Sequence, residues 1–166
     1  MKLAKSLDRL GTETAFSVLA EAKKLEAAGK PMIHLGLGQP DFKTPKHIVE
    51  AAKKALDDGH HGYVLSNGIL ECRKAVTRKI KKLYNQDIDP ERIIIMPGGK
   101  PTMSYAIQCF GEPGVEIVHP TPAFPIYESM INFTGAKSVP YDLTEDKDLK
   151  FNPEKILSLI TDKTRL

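Results

Sequence analysis

Short apolar runs alternate with amphipathic segments through the second half of the chain, and this alternation constrains the fold more than any other feature. Three runs are strand-like: Ile93–Met96, Val115–Val118 and Lys137–Tyr141. The segments after them, among them Phe124–Asn132 and Pro153–Ile160, space their apolar residues as helices do. Because strands that alternate with helices pair in parallel under right-handed crossovers, the pattern predicts an α/β fold with a mainly parallel sheet.

The first half of the chain predicts helices separated by loops that glycine and proline shape. The loops are Gly36–Phe42 and His60–Gly68, and the first holds two glycines and a proline within five residues. Apolar spacing predicts helices over roughly Thr12–Ala28, Pro45–Leu56 and Leu70–Leu83, and a short strand over Met32–Leu35.

The predicted sheet is unfinished at its margin. Its three strands leave an apolar edge open, and a further strand should begin at Thr164–Leu166, where the sequence ends. Complete domains normally cover such an edge. We therefore expect that the chain is a truncated piece of a larger domain.

Composition excludes several classes of protein. The chain of 166 residues is 41% hydrophobic and 27% charged, as in a globular domain, and holds no apolar run of membrane-spanning length. Its net charge of +3 comes mostly from basic residues interleaved with acidic ones, so we expect no nucleic-acid partner. Residues 1–10 lack the apolar core of a secretory signal, which predicts a cytoplasmic protein.

Neither a metal site nor a hydrolase site is predicted. The five histidines do not cluster at the spacing of metal ligands. Cys72 and Cys109 lie far apart on separate predicted helices, and neither belongs to a CxxC pair. The sequence also lacks the GxSxG pattern of a serine-hydrolase nucleophile.

The sequence Gly98-Gly99-Lys100, between a predicted strand and a predicted helix, is the strongest candidate for a binding site. Small residues let the backbone approach an anion closely, and the free N–H groups and dipole of a helix N-terminus favour negative charge. The spacing is neither that of a Walker A loop nor that of a dinucleotide-binding GxGxxG. It predicts a phosphate cup, and a tight connection that merely needs glycine is the alternative.

Two aromatic residues are further candidates for binding. Phe124 lies in the segment Pro120–Tyr127, just after a predicted strand, where α/β sheets place their ligands. Its flat ring could stack on a planar cofactor, and core packing is the alternative for an isolated phenylalanine. Tyr63, in the polar loop between two helices, could bind a phosphate with its hydroxyl group.

Together these features resemble the class I and II aminotransferases of the aspartate aminotransferase superfamily, which depend on pyridoxal 5′-phosphate and have fold type I. The resemblance covers nearly the whole chain and rests on motifs in the family's order: His34–Phe42, Thr44-Pro45, Tyr63 with Gly68 and Arg73, Pro97–Lys100, and Pro120–Pro122. It implies the N-terminal portion of a three-layer α/β/α fold, with a mainly parallel sheet that this chain leaves incomplete. Residues 1–44 would form an N-terminal arm and small-domain segment, and residues 45–166 the first part of the large cofactor-binding domain.

The resemblance also implies roles for individual residues. The backbone N–H groups of the turn Gly98–Lys100 would receive the cofactor phosphate, and Phe124 would stack on the pyridine ring. Tyr63 would reach the phosphate held by the neighbouring subunit of a homodimer. Leu37 and Gly38 would line the substrate side, with the Gly38 backbone near the α-carboxylate of the amino acid.

The reaction that the resemblance implies is transamination between an L-amino acid and a 2-oxo acid, carried out by the full-length protein. The Schiff-base lysine of the family would lie beyond Leu166, so no catalytic residue is assigned to this chain and the chain alone is expected to be inactive. A lyase or decarboxylase of the same fold and a non-catalytic phosphate-binding fragment are the alternatives.

Overall fold

The computed structural model describes residues 2–11, 14–144 and 149–166. This part of the chain forms eight regular elements in the order α1 (Thr14–Ala27), α2 (Lys46–Asp57), α3 (Leu70–Tyr84), α4 (Gly99–Phe110), β1 (Glu116–Thr121), α5 (Ile126–Thr134), β2 (Lys137–Asp142) and α6 (Pro153–Ser158). Two short 3-10 turns, Lys5–Arg9 and Pro90–Arg92, accompany them. No helix in the described ranges is long and apolar enough to cross a membrane.

The chain divides into two compact units, and the second is inserted in the sequence of the first. The first unit contains residues 1–37 and 98–166, and the second contains residues 38–97. The first holds both strands together with α1, α4, α5 and α6, whereas the second holds α2 and α3.

A parallel pair of strands organises the first unit. Strand β1 pairs with β2 in a register that places Glu116 opposite Lys137 and Thr121 opposite Asp142. On the other side of β1, Glu116 forms a parallel bridge with Thr164, and the Val118 N–H donates to the Leu166 carbonyl at 2.9 Å. The prediction of parallel pairing is confirmed, whereas the strand expected to begin at Thr164 is present in the described residues only as this isolated bridge.

The core of the first unit lies where α4 and α5 pack beside the strands. Alternate residues of a strand face opposite sides of its sheet, and Ile117 of β1 is buried against the helices. Ile131 of α5 is fully buried, and Ile107 of α4 joins it. Burying such aliphatic side chains stabilises a fold by about 1.5–3 kcal/mol each.

Two predicted strands are not formed in the described residues. Ile93–Met96 and Met32–Leu35 have no strand assignment, although their neighbouring helices are present. A strand needs a partner for its backbone groups, and Ile95 instead donates its N–H to the carbonyl of Asn67 in a loop. The start of the first helix was also predicted at Thr12, which lies outside the described residues.

A buried arginine organises the second unit. Arg73 of α3 is 2% exposed and donates from Nε to the Gly68 carbonyl at 3.1 Å and from Nη1 to the Pro90 carbonyl at 3.0 Å. The same Nη1 lies 2.8 Å from Oε1 of Glu91. Arg73 therefore ties the loop before its own helix to the turn that follows it.

Candidate functional site

The turn before α4 has a backbone conformation that favours glycine. Gly98 caps the helix with φ of 103°, a conformation that side-chain-bearing residues rarely adopt, and α4 begins at Gly99. No side chain caps this end of the helix. Because Pro101 has no N–H, the first turn of α4 carries the amide N–H groups of Gly99 and Lys100.

Open space lies in front of this turn. A Cβ atom added to Gly98 or to Gly99 would meet no atom within 4 Å. The first turn of α4 itself carries no acidic residue, and the partial positive charge of a helix N-terminus favours an anion. The turn therefore fits the phosphate group of a cofactor in shape and in charge.

Phe124 lies next to this turn. Its ring is 40% exposed, in the loop that joins β1 to α5, and Tyr127 packs edge-on against it with ring centroids 6.4 Å apart. The ammonium of Lys100 lies 5.7 Å from the centroid of the Phe124 ring. The structure thus brings the predicted phosphate turn and the predicted stacking ring together, and it leaves part of the ring open to a ligand.

A cavity of about 520 Å³ adjoins Lys100. Its walls come from the N-terminal segment, the start of α4, and α5 with the proline before it: Gly11, Lys100, Pro125, Ile126, Glu128, Ser129 and Asn132. Sequence reasoning missed Gly11 and Ser129, because their hydrogen bond of 3.0 Å joins residues 118 positions apart and no local pattern encodes such a contact.

The other predicted residues lie elsewhere on their own units. Leu37 is partly exposed and belongs to the first unit. Gly38 and Tyr63 belong to the second unit, where a Cβ on Gly38 would meet no atom within 4 Å and the Tyr63 side chain is fully exposed. Their roles toward substrate and cofactor stay predictions.

His119, at the middle of β1, is a buried polar residue that sequence reasoning did not select. Its Nδ1 lies 3.0 Å from the Pro120 carbonyl, which can only accept, so Nδ1 carries the proton. In the neutral ring Nε2 then accepts a hydrogen bond from the Ser138 hydroxyl at 2.7 Å. In the described ranges no group of three or more histidine, cysteine or acidic side chains could hold a metal ion.

Sequence comparison finds a consistent set of relatives. The family model described as "Aminotransferase class I and II" matches residues 30–166. The chain is 35% identical over 165 residues to an aspartate aminotransferase of Bacillus subtilis, covering 99% of this chain and 42% of that protein. It is 37% identical over 163 residues to a (5-formylfuran-3-yl)methyl phosphate transaminase of Methanocaldococcus jannaschii, again spanning 42% of the relative.

Comparison of structures gives the same result. The aspartate aminotransferase of Thermus thermophilus with maleate matches with a TM-score of 0.90 and 29% identity, over 99% of this chain and 43% of that one. An alanine aminotransferase of Pyrococcus furiosus matches with a TM-score of 0.89 and 31% identity, over 98% of this chain and 42% of that one. The chain therefore spans less than half the length of the proteins that it matches.

Proposed function

Because the chain belongs to the class I and II aminotransferases, a family that depends on pyridoxal 5′-phosphate, we propose that the whole protein transfers the amino group of an L-amino acid to a 2-oxo acid. The α/β fold of type I that the sequence predicted is confirmed by the solved structures that it matches. The observation that carries the proposal is the contact between the turn at Lys100 and the half-open ring of Phe124.

The residues of this chain would bind and orient the cofactor. Bound pyridoxal phosphate supplies an electron sink for the bonds at the α-carbon of the amino acid. The amides of the turn Gly98–Lys100 would donate to its phosphate, and the face of Phe124 would pack against its ring. Together these contacts fix the position of the cofactor, which lowers the entropic cost of reaching the reactive geometry.

Amino transfer needs a base that removes the α-proton of the amino acid. We assign this base to no residue of the chain. By resemblance to the family we place the Schiff-base lysine outside residues 1–166, and we assign Lys100 to the phosphate turn instead. The purified chain should therefore transfer amino groups no faster than free pyridoxal phosphate does. A faster rate in a stopped assay with 2-oxo-acid detection would contradict this part of the proposal.

We propose in addition that the site is completed by a second subunit. Tyr63 projects fully into solvent, and its neighbours Val64 and Leu65 are also exposed, so this loop offers an apolar surface with one hydroxyl. A homodimer would cover it and would bring Tyr63 to the phosphate of the partner. Separately, the family resemblance implies that Leu37 and Gly38 line the substrate side.

The proposed division of the parent protein follows the family's architecture. Residues 1–44 would belong to the N-terminal arm and the small domain, and residues 45–166 to the large cofactor-binding domain. We place the protein in the cytoplasm, with amino acids and 2-oxo acids as its small-molecule partners.

Substitution of Gly98 tests the proposed cofactor site against a matched control. Gly98 and Gly59 both have positive φ, 103° and 83°, and at both positions an added Cβ meets no atom within 4 Å. Gly98→Ala and Gly59→Ala should thus strain the backbone to a similar degree. Only Gly98→Ala places a methyl group in front of the phosphate turn. Losing one hydrogen bond to a charged group costs about 1.5–3 kcal/mol, or roughly 10- to 150-fold in affinity.

The measurement is a titration of pyridoxal phosphate, followed by its absorbance, with the protein expressed from its complete reading frame. Weaker binding in Gly98→Ala with unchanged binding in Gly59→Ala would support the proposal, and equal affinities would contradict it. Analysis of the products separates transamination, which yields a 2-oxo acid, from decarboxylation, which yields an amine and CO₂. Tighter binding of a mononucleotide than of pyridoxal phosphate would indicate a phosphate-binding module instead.

A further inference from the structure

The N-terminal segment is fastened to the far end of α5 by one arginine. Arg9, at the end of the 3-10 turn Lys5–Arg9, donates from Nε to the Asn132 carbonyl at 2.8 Å and from Nη2 to the Phe133 carbonyl at 2.8 Å. These two carbonyls belong to the last turn of α5. Two parallel N–H donors of one guanidinium therefore bind two successive carbonyls of one helix end.

The chemistry of this contact is favourable. The last four carbonyls of a helix lack partners within the helix, and the C-terminal end carries partial negative charge. The Asn132 carbonyl also accepts from the Gly135 N–H at 3.1 Å, so the guanidinium of Arg9 is its second donor. Hydrogen bonds from a charged donor are about twice as strong as neutral ones. Gly135 ends the helix with φ of 84°, and a Cβ at that position would lie 3.8 Å from Nη2 of Arg9.

A second fastening lies one helical turn away. The Gly11 N–H donates to Oγ of Ser129 at 3.0 Å, and Oγ of Ser129 donates back to the Gly11 carbonyl at 3.3 Å. A Cβ on Gly11 would lie 3.5 Å from that of Ser129, so the segment runs in direct contact with α5. Together Arg9 and Ser129 hold both ends of the stretch Arg9–Gly11.

The fastened segment forms a wall of the cavity that adjoins the proposed cofactor site. Gly11 lines this cavity together with Lys100, and α5 starts directly after the loop that carries Phe124. A ligand attached to a cofactor on the Gly98–Lys100 turn would thus extend toward a wall that Arg9 keeps in place. If the segment detaches, only part of the population keeps the arrangement that binds the ligand. The apparent affinity is then the intrinsic affinity multiplied by the binding-competent fraction.

We propose that Arg9 is a positioning residue for the amino-acid substrate: by binding the C-terminal carbonyls of α5 it holds Gly11 in place as a wall of the substrate cavity. The inference rests on the proposed function, because it takes the ligand of this cavity to be the substrate. Arg9 itself lies outside the phosphate turn, so its loss should affect the binding of substrate and leave the binding of pyridoxal phosphate unchanged.

The test compares Arg9→Met and Arg9→Lys with the control Arg78→Met in the protein expressed from its complete reading frame. Arg78 is an exposed arginine of α3, in the other unit. Arg9→Met should raise the hydrogen-exchange rate of residues 5–11 at least tenfold and the KM for the amino acid about tenfold, with kcat within twofold. Arg9→Lys, which keeps the charge without the fork, should fall between it and the unsubstituted protein.

Ser129→Ala provides an independent variant, because it removes the other fastening and leaves Arg9 in place. It should shift exchange and KM in the same direction, whereas Ser158→Ala on α6 should shift neither. Faster exchange with an unchanged KM would overturn the role of the segment as a wall. Unchanged exchange in Arg9→Met would overturn the anchor itself.

The experiments distinguish a wrong proposed function from a wrong role of Arg9. If the unsubstituted protein binds no pyridoxal phosphate and transfers no amino group, the proposed function is wrong, and the substrate role of Arg9 is overturned with it. If the unsubstituted protein is active and Arg9→Met has the same KM, the function stands and only the positioning role is overturned.

Discussion

The two units of the chain are built by different kinds of interaction. In the described part of the first unit seven hydrophobic residues are buried, and six of them, including Ile107, Ile117 and Ile131, form one cluster beside the strands. In the described part of the second unit the buried residue is Arg73. Several of its apolar side chains are exposed instead, as Ile48, which is 50% exposed, illustrates.

The difference in burial indicates that the first unit is stabilised by its own interior. Hydrophobic burial is non-directional and grows with the area removed from water, so the first unit gains stability from its own helices and strands. The second unit is held by directional bonds from one guanidinium, while a group of its apolar residues faces outward: Ile48, Leu56, Val64, Leu65, Ile69 and Ile94. Exposed apolar side chains like these can be covered by the rest of the longer protein or by a partner subunit, and the homodimer that we propose would cover part of them.

The largest effect should come from the core of the first unit. Ile131 is 0% exposed, and Ile131→Ala would leave a cavity among its neighbours, at a cost of about 2–5 kcal/mol in the free energy of unfolding. Ile48→Ala makes the same chemical change on the half-exposed face of α2 and should cost less than about 1 kcal/mol. Urea denaturation of both variants measures the contrast. Equal losses would show that the second unit also buries an apolar core.

A smaller effect should come from the arginine of the second unit. Arg73→Met keeps much of the side-chain volume but leaves the carbonyls of Gly68 and Pro90 without their donor, which costs about 1–3 kcal/mol. Arg73→Lys keeps the charge and should recover only part of this loss, because an ammonium lacks the planar fork. Hydrogen exchange over residues 68–92 would report the local loosening. Unchanged exchange in Arg73→Met would mean that other contacts hold this unit.

The helices and both strands could be predicted from the sequence because each carries a local pattern. The spacing of apolar residues along α3 and α5, and the strand-like runs at Val115 and Lys137, depend on neighbours within a few positions. The turn at Gly98 was predictable for a related reason, since glycine readily adopts the positive φ that a tight turn before a helix requires, and its role toward a phosphate stays a prediction. The family resemblance added roles that the residues themselves do not specify.

Other features could not be predicted because they depend on partners far away in the sequence. Ile93–Met96 has the composition of a strand, but a strand forms only where a neighbour pairs with it, and the described residues supply none there. The bond from Arg9 to Asn132 spans 123 positions, and nothing in the local sequence of either residue encodes it. The same is true of Arg73, whose burial became visible only with the turn at Pro90 in place.

The smallest expected effect lies at the start of β1, in the charged cluster around Glu116. Lys137 donates to Oε1 of Glu116 at 2.8 Å and the Thr161 hydroxyl donates to Oε2 at 2.7 Å, and these bonds hold the pKa of the carboxyl below its ordinary value of 4.5. They join β1 to β2 and to the segment that follows α6. The cluster therefore adds to the first unit an electrostatic contribution that its apolar core lacks.

Acid should remove this contribution. Because the folded pKa of Glu116 is lowered, its stabilisation is fully present above the unfolded pKa and is lost as the pH falls through the folded pKa. Urea midpoints measured from pH 7 down to pH 3 should fall less steeply in Glu116→Gln than in the unsubstituted chain. Glu154→Gln, an exposed carboxyl on α6, should keep the original slope. If Glu116→Gln also keeps that slope, the bonds to Lys137 and Thr161 do not favour the charged form, and the first unit is held by its apolar core without help from the cluster.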